Sequence, residues 1–361
     1  MNENKYIIKN ASVFDGLGSD KFQADILVED GIIKEIGNLQ NIDCKVIDIK
    51  GNAIAPGFID VHSHDDIALI VYPEMDFKVM QGVTTVINGN CGNNVIPRHG
   101  TLERWQTRYP DNPIPEWNSY SDYIDLINSI KPSVNSAILI GHGSVRNGSG
   151  LKNQKRLPTQ AEYDEMKGWI REGMEAGAVG FSTGLIYEPG RYSSTEEIIE
   201  LTKVISSYDG VYSSHMRNEG NNLLLSIEET IKIGQGAETS IEISHHKVSG
   251  KDNWGLSEKS TEMINEARDN GINVHSDQYP YIAGQSALFA IHQNNAFNEG
   301  EGGLGTVSGD KVIIAHAPLM PEYEGKKLSD ICDDFDLPEQ ETAEKILSQD
   351  PHALAIIEGM C

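Results

Sequence analysis

The chain has 361 residues, 39% of them hydrophobic and 23% charged, with a formal net charge of −25. That length suits one large α/β barrel with an accessory domain, or two to three smaller domains. The charge argues against nucleic acid and anionic membrane as partners, and it repels acidic substrates, so such a substrate needs a local cation. The first fifty-odd residues read as short β-rich segments, KYIIKNASVFDG, ADILVEDGIIKEIG and KVIDIKGNAIAPG, broken by Asp-Gly and Gly-Asn turns. Residues 1–55 are therefore expected to form a small β-domain. After Pro56 the texture changes to apolar strands alternating with helices. Strands are expected at GVTTVINGNCG (82–92), SAILIGHGSVR (136–146), AGAVGFSTGL (176–185), GVYSSHMRNEG (210–220), TSIEISHHKVSG (239–250) and INVHSDQYPY (272–281). Helices are expected from near Pro158, over 195–210 with Thr195 as N-cap, in LLLSIEETIKIG and over 257–271. Counting KVIIAHAP (311–318) as a further strand, the repeated strand–helix units predict a closed parallel barrel over 56–361, with a surface excursion near 284–310.

The chemistry clusters at the ends of these strands. In PGFIDVHSHDD (56–66), His62 and His64 are two residues apart, so on a strand both imidazoles point to one face. Cys91 follows in NGNCGNN, where flanking glycines let the backbone approach a ligand. His142 and Arg146, Tyr187, His215 and Arg217, and His245, His246 and Lys247 end the next strands, and Asp277, Tyr279 and Tyr281 follow. The C-terminal rim of a β/α barrel is where active sites form. Imidazole and thiolate are the donors Zn²⁺ prefers, in tetrahedral shells that keep one open position in catalytic sites. Cys91, His215 and His245 make a three-ligand site, and His62 and His64 either hold a second metal or share the first.

The ordered set PGFIDVHSHDD, GNCG, GHGSVR, GFSTGLIYEPGRYSSTEEI, SHMRNEG, ISHHKVSG and DQYPYIAG resembles the amidohydrolase superfamily, and within it the N-acyl-D-amino-acid deacylase (D-aminoacylase) family. The resemblance implies a TIM-like (β/α)8 metal-dependent hydrolase barrel. It also implies zinc held tightly by Cys91, His215 and His245, with a weaker second site at His62 and His64. In that family a cysteine takes the bridging place that many amidohydrolases give to a carboxylated lysine, and GFSTGL indeed carries no lysine. Tyr187, Lys247, Tyr281 and Ser286 are implied to face the substrate, Lys247 as anchor for its carboxylate. The implied reaction is hydrolysis of the amide bond of an N-acyl-D-amino acid. Cyclic-amide hydrolysis of the hydantoinase or dihydroorotase kind, or a catalytically inactive metal-binding scaffold, are the alternatives. The family's catalytic aspartate, in a Ser-Asp-Gly-like stretch, has no counterpart up to Cys361, so the barrel is expected to stop before its last strand.

The remaining candidates have plainer readings. Asp65 and Asp66 suit solvated or supporting roles, and His142, His246, His275 and His316 structural ones. Arg217 suits either a carboxylate partner or a substrate contact. Cys44, Cys332 and Cys361 are bystanders, and the acid-rich run 330–345 is a solvated helix and loop. The cysteines show no CxxC spacing, the N-terminus has no signal-like apolar stretch and no run of roughly 18 apolar residues occurs; a cytoplasmic, non-membrane protein is expected.

Overall fold

The computed structural model describes residues 4–96, 105–106, 109–298 and 303–360. Cys361 and residues 299–302 of the expected excursion lie outside the described residues. The chain divides into two compact units, Met1–Ile59 with Gly82–Thr84, and Asp60–Gln81 with Thr85–Cys361.

The first unit is a sheet of β1 (Lys5–Val13), β2 (Phe22–Glu29), β3 (Ile32–Gly37) and β4 (Lys45–Asp48) in the order β3–β2–β1–β4, with β5 (Ala53–Ile54) also pairing β1. Asp30 and Gly31 take φ of +53° and +75°, the left-handed pair that a two-residue hairpin turn requires. Alternate residues of β1 and β2 point to opposite faces. Ala11, Val13, Ile26 and Val28 therefore make one small buried cluster, and Ile7, Leu27 and Leu39 another. Asp25 joins the elements, accepting from Lys9 Nζ at 2.9 Å, Asn10 N at 3.1 Å and Leu39 N at 3.2 Å.

The larger sheet has seven strands in strict chain order: β6 (Phe58–Asp60), β7 (Val83–Asn88), β8 (Asn135–Gly141), β9 (Gly180–Gly184), β10 (Val211–His215), β11 (Ser240–Ile243) and β12 (Val274–Ser276). The pairs from β7 to β12 are all parallel. Parallel neighbours need crossovers, and the helices supply them: α1 (Tyr120–Ile130), α2 (His142–Gly148), α3 (Gln160–Ala176), α4 (Thr195–Ser206), α5 (Leu223–Ala237) and α6 (Leu256–Asp269). Capping boxes start α1 and α3, with Ser119 paired to Asp122 and Thr159 to Glu162. The N-cap of α4 is Ser194, one residue before the expected Thr195, because it is the Ser194 hydroxyl that accepts from Glu197 N at 3.2 Å. Strand residues facing the helices (Ile140, Phe181, Tyr212, Ile241, Ile243) form the main core with Met166, Ile170, Ile198, Leu201 and Ile227.

The barrel expectation holds for seven strands, but KVIIAHAP is not one of them. β14 (Val312–His316) lies in a separate antiparallel sheet ordered β13–β15–β14, with β13 (Ala283–Ala287) and β15 (Leu354–Glu358). With α7 (Leu288–Gln293), α8 (Leu328–Phe335) and α9 (Glu339–Gln349) this sheet encloses its own core of Leu288, Ile291, Val312, Ile314, Ile331, Ile346 and Ile357. An apolar strand carries no mark of which sheet it joins. The expected excursion at 284–310 is thus the start of this second layer. The acid-rich run falls on α8 and α9, as expected. Among the described residues no helix is long and apolar enough to cross a membrane.

Candidate metal centre

The strands bring side chains to one end of the sheet by different routes. β6 stops at Asp60, so His62 and His64 follow the strand rather than ride on it. The Asp60 side chain accepts from His62 N at 3.1 Å, a two-residue side-chain turn that bends the chain there. The two imidazoles still meet, with ring centroids 5.4 Å apart. Cys91 sits in the turn after β7 with φ of +54°, a left-handed backbone rare for a residue with a side chain. His245, just past β11, is similar at +38°. His215 is the last residue of β10, paired in register with Gly184 of β9.

Glycines make the Cys91 turn possible. A Cβ on Gly184 would lie 2.2 Å from the Cys91 carbonyl oxygen, and one on Gly141 would lie 2.6 Å from that of Gly92. The repeated glycines of GNCG, GHG and STG are thus a close-packed seat for the thiol. Polar clamps complete it: Asn90 Nδ2 donates to Ile87 O at 2.9 Å and Val61 O at 3.2 Å, Ser213 Oγ donates to Asn90 Oδ1 at 3.2 Å, and Gly92 N donates to Ser182 Oγ at 3.1 Å.

Three donor atoms converge. Cys91 Sγ lies 3.4 Å from His215 Nδ1 and 3.6 Å from His245 Nε2, and these two nitrogens are 2.9 Å apart. His62 Nε2 approaches the same sulfur at 3.3 Å from another side. Cys91, His215 and His245 are at most 8% exposed, whereas His62 is half-buried and His64 exposed. Among the described residues, the groups of donors close enough to hold an ion are Cys91–His215–His245 and His62–His64–Cys91, which share the sulfur. Burial pushes the Cys91 thiol up, but the surrounding His62, His215 and His64 hold it well below its ordinary value. Burial pushes His215 down. It also opposes charging of His62, but the Cys91 sulfur and Asp277 outweigh it and push His62 up to about 10. The sulfur–nitrogen separations match those around a tetrahedral zinc, about 3.3–3.6 Å from its bond lengths, while the nitrogens stand closer together than that, so the thiolate and two imidazoles fit the ion by donor chemistry and by convergence.

Carboxylates stand behind the donors. Glu219 Oε1 lies 3.0 Å from His245 Nδ1, 3.8 Å from His215 Nε2 and 2.6 Å from Lys247 Nζ. Burial opposes its charge, yet Lys247 and the two histidines hold Glu219 well below the usual carboxylate range. Asp277 Oδ2 is 3.3 Å from His62 Nδ1, and its Oδ1 accepts from His245 N at 2.6 Å. Glu242, on β11, is pushed up to about 7 by burial and by Asp277 beside it. Glu219 and Glu242 escaped the sequence reading. The one available signal for Glu219 was its place four residues after His215 in SHMRNEG.

The expected substrate residues divide. Tyr187 is at the centre, its ring 4.7 Å from that of His215, with Ser286 beside its phenol. Lys247 is there too, but it is only 8% exposed and its ammonium is already bound to Glu219. Tyr281 is 70% exposed and is not brought to the cluster; Tyr279 is, with the Lys247 ammonium 5.9 Å from its ring centroid. The segment around Pro280 is not a regular strand, so the two tyrosines, two residues apart, do not share one face. Arg217 pairs with Glu229 at 3.0 Å, so the carboxylate alternative holds. Asp65 pairs with Lys78 at 3.0 Å, and Asp66 is buried and pushed up to about 6. His246 bonds Ser260 at 2.8 Å, His275 bonds Asn273 at 2.9 Å and His316 pairs with Glu324 at 3.1 Å, all away from the cluster.

The sequence profile of the amidohydrolase family matches residues 45–303. The chain belongs to the amidohydrolase family. It is 33% identical over 332 residues to the D-aminoacylase of Alcaligenes xylosoxydans xylosoxydans, covering 90% of this chain and 65% of that protein. It is 32% identical to an N-acyl-D-glutamate deacylase of the same organism, covering 90% and 64%. Among solved structures it is similar to the N-acyl-D-glutamate deacylase of Bordetella bronchiseptica in complex with zinc and a phosphonate mimic of the tetrahedral intermediate. There the TM-score is 0.87 and the identity 31%, over 99% of this chain and 72% of that one. The amidohydrolase chain thus spans about 65% of the length of the curated relatives it matches. The family resemblance read from the glycine–cysteine and histidine motifs holds, and the barrel architecture with it.

Proposed function

We propose that this site hydrolyses the amide bond of N-acyl-D-amino acids, with one zinc held by Cys91, His215 and His245 and a second, weaker position at His62 and His64. The observation that carries the reading is the convergence of one thiolate and two imidazoles within 3.6 Å at a barrel rim. The names of the relatives, D-aminoacylase and N-acyl-D-glutamate deacylase, support the substrate class.

Bound at these donors, zinc supplies Lewis acidity, polarising an acyl carbonyl and making a water acidic enough to attack near neutral pH. The residues present supply metal-holding and substrate-binding groups; the aspartate that the family resemblance implies as proton carrier has no counterpart among them. Cys91 contributes a negative sulfur held in place by its glycine seat. Tyr187, against His215, offers a phenol donor to the acyl group. Lys247 supplies the cation that the chain's charge of −25 makes necessary for a substrate carboxylate. The ammonium faces Tyr279, so carboxylate and aromatic ring would meet at one spot. A cytoplasmic, reducing setting suits a site that depends on a free thiolate. Cyclic-amide hydrolysis is disfavoured because β9, GFSTG, carries no lysine.

The test is binding and turnover with enantiomers. Zinc-loaded protein should be stabilised by a phosphonate analogue of an N-acyl-D-amino acid, and not by its L-counterpart, and any release of free amino acid should be confined to N-acetyl-D-amino acids. Equal response to both hands, or preference for a hydantoin ring, would overturn the assignment.

A further inference from the structure

The buried Glu219–Lys247 pair has a consequence for His245. His245 reaches the sulfur and His215 through Nε2, so as a zinc ligand it must keep its proton on Nδ1. Two groups contend for that Nδ1: Glu219 Oε1, an acceptor, and Lys247 Nζ, a donor, each 3.0 Å away. The lysine also donates to Glu219 at 2.6 Å and to the His245 carbonyl at 3.1 Å. A carboxylate at Nδ1 demands the Nδ1–H tautomer, which frees the Nε2 lone pair. An ammonium at Nδ1 demands the opposite tautomer, with Nε2 protonated and unable to bind a metal.

We infer that Glu219 is a positioning residue that fixes the metal-binding tautomer of His245 against the competing Lys247 ammonium. Its own place is over-determined. It is fully buried, its backbone N donates to Gly303 O at 2.8 Å, and its carbonyl accepts from Ser249 N at 2.8 Å. Oε1 serves His245 and Lys247 together, and the same atom lies 3.8 Å from the outer nitrogen of His215. Glu219 thereby ties a metal ligand to the cation assigned to the substrate carboxylate. Removing it leaves Lys247 as the sole partner of Nδ1, a worse outcome than the loss of one hydrogen bond.

The inference rests on the zinc reading of the site and is tested on zinc affinity, not turnover. Competition with a chromophoric chelator should show zinc binding weakened about 10- to 100-fold in Glu219→Ala, the range for loss of an outer partner of a ligating histidine. The double variant Glu219→Ala/Lys247→Met should recover most of that loss, because no donor then opposes the Nδ1–H form. Far-ultraviolet circular dichroism establishes that each variant is folded, and the parent with Glu219→Gln, which keeps an oxygen acceptor, serves if Glu219→Ala does not fold; near-parental affinity is then expected. A folded Glu219→Ala that binds zinc as the parent does, or a double variant no better than the single, overturns the tautomer role. A parent that takes up no zinc overturns instead the reading of the site on which it stands.

Discussion

His142 and His215 both stand at the end of a barrel strand, and both have a charged side chain four residues on, Arg146 and Glu219. Each builds a buried ionic cluster, yet the two do different things. Around His142, Glu197 Oε1 lies 3.0 Å from the imidazole and 3.5 Å from Arg146 Nε, all three side chains fully buried. Arg146 reaches on to the Gln154 carbonyl at 2.7 Å and so fastens the loop after α2. Among the described residues, neither His142 nor Glu197 belongs to a group of donors able to hold an ion. Around His215 the pairing is incomplete in a different way: thiolate and imidazole donors point at one another, with the charged partners behind them. The lesson is that a buried ion pair offsets part of its desolvation from within, whereas donors aimed at a common point suit an ion from outside.

The strongest way to break the comparison is at Cys91. Cys91→Ser removes the one soft, negative donor shared by both candidate positions, and the protein as purified should fall from at least one bound zinc per chain to none. Elemental analysis beside a protein assay reads this directly, and retained zinc would erase the difference between the two clusters. Next, Glu197→Ala leaves Arg146 and His142 buried without a counter-charge and should cost about 3–5 kcal/mol in a denaturant titration. Zinc stoichiometry in that variant should not change. A loss of zinc with little loss of stability would mean that the His142 cluster also serves the metal. Smaller still is Gly184→Ala, whose Cβ would fall 2.2 Å from the Cys91 carbonyl. Overpacking there should cost about 1–3 kcal/mol and loosen zinc by displacing the thiol. Stability and affinity equal to the parent would remove the glycine seat from the account.

The side chains that the structure brings together were legible because few residue types suit zinc: His62, His64, Cys91, His215 and His245 stand out in any reading by strand ends. The strand–helix rhythm was legible because Val, Ile and Tyr at alternate positions face helices. What stayed hidden depends on three-dimensional neighbours. Val312–His316 is as apolar as a barrel strand, and only its antiparallel partner β15 shows that it belongs elsewhere. GHGSVR and SHMRNEG look equally site-like, and only Glu197, distant in sequence, makes the first structural. Tyr281 and Tyr279 are equivalent as letters, but the local path of the chain half-buries one near Lys247 and leaves the other in solvent.

Glu242 offers the finest distinction, since it is a half-buried carboxyl that takes up a proton rather than a counter-charge. Burial and the adjacent Asp277 raise it to about 7, so in the folded zinc-free protein it holds a proton that the unfolded chain gives up near 4.5. Between those two values the native state binds more protons than the unfolded one, and stability falls as pH rises. The contribution is therefore fully present below about 4.5 and lost above about 7. Glu242→Gln cannot ionise. Relative to the parent it should gain about 1–2 kcal/mol at pH 8 after discount for partial solvent screening, and nothing at pH 4. Urea titrations of zinc-free protein at the two pH values measure the gap. A gap that runs the other way would mean that Glu242 is charged and paired, a third ionic cluster rather than a proton-neutralised one.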